Sequence, residues 1–126
     1  MRPLMYSFYT LLFLTLACQQ MNDDLLLGHW QAAEVLEEDT PLPIDIKEIS
    51  FEFKGDKNYT FSSTLNYREA GSYFVDAHFL YTTDTINQAS TEKAVEILTL
   101  SEDSLHLRMQ QNGKERILKL ARKNDQ

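Results

Sequence analysis

The sequence predicts an all-β fold, an antiparallel meander of about eight strands closed into a small barrel. Three observations predict it. From residue 27 onward, apolar and polar residues alternate with a period close to 2, which sends successive side chains to opposite faces of a strand. The alternating runs are short and are separated by turn-forming clusters: Gly55-Asp56-Lys57-Asn58, Ser101-Glu102-Asp103-Ser104 and Gln111-Asn112-Gly113-Lys114. A meander of this kind leaves two open edges, and closing the sheet on itself removes both.

The elements follow in order. His29–Glu37 opens with Trp30, and Pro41 and Pro43 then interrupt regular structure. In Lys47–Lys54, Ile49, Phe51 and Phe53 share one face, opposite Glu48, Ser50, Glu52 and Lys54. After the Gly55–Asn58 turn, Tyr59, Phe61, Ser63 and Leu65 oppose Thr60, Ser62 and Thr64. Gly71–Val75 and His78–Thr83 are parted by a break near Asp76-Ala77, and Asp84–Thr91 reads as a polar loop. In Lys93–Leu100 the composition also suits a turn of helix, but Val95, Ile97 and Thr99 favour a strand. Leu105, Leu107 and Met109 then alternate with His106, Arg108 and Gln110, and Arg116–Arg122 closes the chain.

An eight-stranded barrel is either filled by its own side chains or holds one small ligand. The alternation nominates Phe51, Phe53, Tyr59, Phe61, Tyr73, Leu107 and Met109 for the interior, as core or as ligand lining. A domain this small needs its core for stability, which favours filling. Tyr59, Tyr67, Tyr73 and Tyr81 are candidates for polar tips at an open rim.

The N-terminus has a different character. Met1-Arg2 is basic, Leu4–Leu16 is largely apolar, and small Ala17 precedes the single cysteine, Cys18. This is the order of a secretory signal, and the apolar run is short of the about 20 residues that a membrane-spanning helix needs. Leu14-Thr15-Leu16-Ala17-Cys18 resembles the bacterial lipobox, with Thr15 where that motif prefers leucine. The resemblance implies cleavage before Cys18, a diacylglycerol on its sulfur and a further acyl chain such as palmitate on the new amine. An ordinary signal peptide cut nearby and an uncut anchor helix are the alternatives. The expected organisation is a signal peptide over residues 1–17, a lipidated cysteine and tether over 18–26, and a barrel domain over 27–126. Asp23-Asp24 suits a solvated tether, a cap for a short Leu25-Leu26-Leu27 turn, or an acidic surface-export signal.

From Cys18 on there are 109 residues, with 19 acidic against 11 basic side chains, a net charge of −8. That balance argues against nucleic acid, whose phosphates demand Lys and Arg. It equally disfavours a domain lying flat on anionic lipid. His29, His78 and His106 are too dispersed to mark a metal site, and His106, on a polar strand face, is expected to be solvated. Glu37-Glu38-Asp39 lacks the spacing of a calcium loop. No nucleophile–base pattern and no phosphate-binding glycine loop is visible, so neither an enzyme nor a cofactor is expected.

Leu27-Gly28-His29-Trp30 resembles the Gly-x-Trp signature that opens the first strand of lipocalins. The resemblance implies that Trp30 packs across the barrel bottom against a basic residue of the last strand, with Arg122 the first choice over Arg116 and Lys119. The segments 49–61, Gly71-Ser72-Tyr73 and 97–107 are similar to the successive strands of small bacterial lipocalin-like lipoproteins. The implied function is a lipid-anchored envelope protein, most naturally in the outer membrane and facing the periplasm or the surface, that binds a small apolar or amphiphilic ligand. The alternative is a filled barrel that serves as an interaction module for an envelope protein partner.

Overall fold

The computed structural model describes residues 22–87 and 91–123. Cys18 and the signal-like segment before it lie outside the described residues. Nine strands form one antiparallel sheet: β1 Gly28–Glu37, β2 Thr40–Pro41, β3 Ser50–Phe53, β4 Asn58–Ser62, β5 Arg68–Asp76, β6 Phe79–Asp84, β7 Glu92–Leu100, β8 Ser104–Gln111 and β9 Lys114–Arg122. Each of β3 to β8 pairs with the next, β3 pairs with β1, and β9 pairs with β1 from Trp30↔Arg122 to Glu37↔Arg116. The eight longer strands therefore close into the expected barrel. β2 is a two-residue hairpin arm on the end of β1.

The period-2 pattern positions the core. Trp30, Ala32, Val35, Ile49, Phe53, Tyr59, Tyr73, Leu80, Ile97, Leu105, Leu107, Leu118 and Leu120 all point inward and are buried. A register shift in β1 between Ala32 and Glu34 restores the inward phase, so that Val35 and then Glu37 face in. The sheet and its core are built from residues 26–122, so the segment 19–126 carries the whole barrel.

The two barrel ends differ. At one end the 3-10 turn Asp23–Leu26 lies across the opening, with Leu26 fully buried. Asn22 caps this turn by accepting from the Asp24 amide, and Lys57 reaches Asp23 at 2.9 Å. The folded unit thus takes in residues that the sequence assigned to the tether, because Leu26 is needed to seal the core. The other end is ringed by the loop 38–49, the 3-10 turn Thr64–Asn66, residues 85–87 after β6 and the β8–β9 hairpin.

Three local expectations are corrected. β5 begins at Arg68 rather than Gly71, because Arg68 and Glu69 pair with Ser62 and Phe61. Leu65 does not continue the inward row of β4: it adopts φ +60° in the Thr64–Asn66 turn and is 94% exposed. His106 is half-buried rather than solvated, and burial, reinforced by nearby Lys119, lowers its pKa below the ordinary 6.5.

Candidate functional site

The seven interior candidates divide between the two ends. Phe53, Tyr59 and Tyr73 are buried core residues near the closed end. The Tyr73 hydroxyl donates to the Lys54 carbonyl there, and its ring meets Phe53 edge-on with centroids 5.0 Å apart. Phe51, Phe61, Leu107 and Met109 instead line an open cavity of about 910 Å³ at the other end. The aromatic column is continuous: Phe53 stacks on Phe51 at 5.3 Å, and Phe51 meets Phe61 at 4.5 Å. The barrel is therefore filled below and hollow above, which corrects the expectation of a filled interior. The large rings Trp30, Phe53, Tyr59 and Tyr73 occupy the lower half, while mostly smaller side chains, Val35, Ile49, Leu80, Val95 and Leu118, surround the upper.

The rim tyrosines also separate. Tyr67 lines the cavity, Tyr59 is buried in the core with its hydroxyl on the cavity-lining Glu69, and Tyr73 faces the closed end. Tyr81 lies on the outer surface, where it stacks on the exposed ring of Phe74 at 4.7 Å. It falls out of phase with Leu80 and Thr82, the inward residues of β6.

A polar cluster interrupts the apolar wall. Glu69 on β5 is only 7% exposed. The Tyr59 hydroxyl donates to its Oε1 at 3.0 Å, and Tyr67 and Lys93 both donate to its Oε2 at 2.7 Å. Burial, with the neighbouring Glu69 charge, pushes the Tyr59 phenol far above its ordinary value of 10.0. The Glu69 hydrogen bond, reinforced by burial, raises Tyr67 as well. Burial opposes the charge on Lys93, but Glu69 outweighs it and the ammonium pKa rises above 10.5. At neutral pH both phenols and the ammonium are therefore donors. Higher in the cavity, Arg116 is held by Glu37 at 2.7 Å and by Gln111 at 2.8 Å.

Sequence reasoning did not single out Glu69, Lys93 or Arg116 for the interior. Strand phase was the available signal. Glu69 is in step with Gly71 and Tyr73, Lys93 with Val95 and Ile97, and Arg116 with Leu118 and Leu120. A charge in step with an inward apolar row points inward.

The closed end joins Gly28, Trp30 and Arg122. Trp30 is fully buried, and its indole N–H donates to the Leu26 carbonyl at 2.8 Å. The Arg122 guanidinium lies 4.3 Å from the indole centroid. It donates to the carbonyls of Glu102 and Leu27, each at 2.5 Å, and to that of Leu25. Gly28 has φ +119°, and a Cβ there would lie 2.8 Å from the guanidinium. The signature thus encodes a cation–π plug, with glycine leaving room for the cation.

Comparison with solved structures meets this architecture directly. A lipocalin-like protein from Bacteroides uniformis ATCC 8492 superposes with a TM-score of 0.57 at 17% identity, covering 79% of this chain and 99% of that one. The fold is lipocalin-like. An uncharacterized protein from Bacteroides eggerthii DSM 20697 also has a TM-score of 0.57, at 12% identity, over 78% of this chain and 99% of that one. No protein-family model and no curated protein matches the sequence.

The lipocalin-like barrel places its three histidines apart. His29 lies beside Glu52 on the neighbouring strand, His78 beside Phe79 and Glu96, and His106 opposite Lys119. Among the described residues no group of three or more His, Cys, Asp or Glu side chains is placed to hold a metal. No helix among them is long and apolar enough to cross a membrane.

Proposed function

We propose that this chain is a lipid-anchored, lipocalin-like lipoprotein of the cell envelope, most naturally of the outer membrane, that binds a small apolar or amphiphilic molecule in its barrel. It acts by burial rather than catalysis. The observation that carries this reading is the open cavity, with an apolar wall and one cluster of convergent polar groups. Its volume lies within the roughly 300–1,000 Å³ of small-molecule sites. Each ligand methylene taken from water contributes about 0.8 kcal/mol, offset in part by the cost of association. The interaction-module alternative draws on the exposed Phe74–Tyr81 stack, but a hollow upper barrel favours the ligand reading.

Native mass spectrometry of residues 19–126, purified gently from the host, tests the binding. A stoichiometric co-purified apolar molecule supports it. A clean apo mass with no uptake from a panel of amphiphiles rejects it. Val95→Trp supplies a second test, since an indole at this half-buried wall position projects into existing space. Ligand uptake should fall by about tenfold or more, with the melting temperature nearly unchanged.

The anchor has a geometric consequence. Four residues separate Cys18 from the closed end at Asp23, and the five steps between them at about 3.5 Å each reach only about 18 Å. Lipidation at Cys18 therefore sets the closed end toward the anchoring membrane and the mouth away from it. Ligand would arrive from the aqueous side. Cys18→Ala should move the protein from the membrane fraction to the soluble one, because two or three acyl chains supply the attachment. Retention of the variant in membranes would reject the anchor.

A further inference from the structure

We propose that the cavity selects amphiphiles whose polar end carries no net charge, such as an ester, amide or alcohol, over free carboxylates and amines. The inference rests on the cavity being a ligand site and concerns which ligand chemistry it accepts. Its basis is charge balance. Two cations stand at the cavity, Lys93 and Arg116, and each is already matched: Lys93 by buried Glu69 at 2.7 Å, and Arg116 by Glu37 at 2.7 Å. Lys114 also approaches Glu37, at 3.4 Å, but it does not line the cavity.

A ligand entering the cavity displaces water and lowers the local dielectric. A carboxylate set against Lys93 would then share one ammonium with Glu69, leaving a surplus negative charge. An alkylammonium set against Glu69 would leave a surplus positive one. Uncompensated buried charge is expensive. A neutral acceptor creates no surplus. It needs only one N–H from Lys93, whose ammonium carries three and gives one to Glu69. The Tyr59 phenol holds Oε1 of Glu69 and the Tyr67 phenol shares Oε2 with Lys93, so the acid does not need the ligand as a donor.

The test uses residues 19–126 and three probes with the same twelve-carbon chain: glycerol monododecanoate, dodecanoate and dodecylammonium. Affinities are measured below micelle concentrations at pH 8. The wild type should bind the ester at least about tenfold more tightly than either ion. Glu69→Gln frees Lys93 from its counter-charge and should shift the ratio toward dodecanoate by about tenfold or more. Lys93→Gln leaves Glu69 unmatched and should shift the ratio toward dodecylammonium instead. Because the two variants move the preference in opposite directions, a generic loss of packing does not imitate the pattern. If all three probes bind with one order of preference in all three proteins, the ligand reading stands and the charge-balance inference falls. Tighter wild-type binding of dodecanoate than of the ester also overturns it. If no probe binds any of the proteins, both readings fall together.

Discussion

Replacing Trp30 by alanine should cost about 3–5 kcal/mol, the range for deleting a large buried aromatic. The side chain is fully buried at the closed end, so its removal leaves a cavity where the barrel is sealed. Two further losses are specific to this site. The Leu26 carbonyl loses the indole N–H at 2.8 Å, and the Arg122 guanidinium loses the ring beneath it. Arg122 also ties the carbonyls of Leu25, Leu27 and Glu102, which join the N-terminal turn to the β7–β8 turn. Loosening the cation therefore loosens the seal. A domain of this size has roughly 5–15 kcal/mol in total, so Trp30→Ala should lower its melting temperature by about 15 °C or more. Trp30→Phe keeps a ring under Arg122 and should fall between the two. The melting temperatures of the three proteins check the assignment, and an alanine variant that melts within a few degrees of the wild type would remove the plug from the account.

The closure of the barrel was legible because its physics is local. Alternation in Lys47–Lys54 and in 105–110, with turn residues between runs, is enough to count strands and choose their inward faces. The link between Trp30 and Arg122 came from a family resemblance, since no local pattern joins two residues 92 positions apart. The hollow upper half was less accessible. Phe51 and Phe53 share one strand face, yet one lines the cavity and the other the sealed core. Height along the barrel depends on where neighbouring strands begin and end, and alternation carries no information about that. The Glu69–Lys93 pair was missed for a related reason. Its partners are 24 residues apart and meet across β6, and alternation marks inward positions only through apolar residues. β2 has only two residues and includes Pro41, so it had no run to read.

Gly71→Ala should destabilise the barrel by about 3 kcal/mol or more, at or above the upper end for an overpacked site. Gly71 sits on β5 between Tyr59 of β4 and Asp84 of β6. A Cβ there would run into the Thr83 carbonyl oxygen, with the carbonyl carbon at 2.9 Å and the Thr85 amide nitrogen at 3.2 Å. The obstacle is backbone, so no rotamer change relieves it and the two strands must part. The close approach is used: the Thr85 amide donates to the Ala70 carbonyl at 2.8 Å, and the buried Asp84 carboxylate accepts from Ala70, Ile86 and Asn87. Burial works against the Asp84 charge, but these donors outweigh it and hold its pKa below the ordinary 3.8. Its contribution is thus present above pH 3.8 and is lost as the pH falls through the lower folded value. Parting the strands weakens those donors, so the variant should lose part of this acid-sensitive contribution as well as stability at neutral pH. Gly55→Ala is the matched control. Nothing lies within 4 Å of its Cβ position, and its cost should stay within about 0.5 kcal/mol. Urea midpoints followed by Trp30 fluorescence at pH 7 and pH 3 separate the outcomes. Equal midpoints for the two alanine variants at pH 7 would mean that the β5–β6 contact is not tight, and with it would go the account of Asp84.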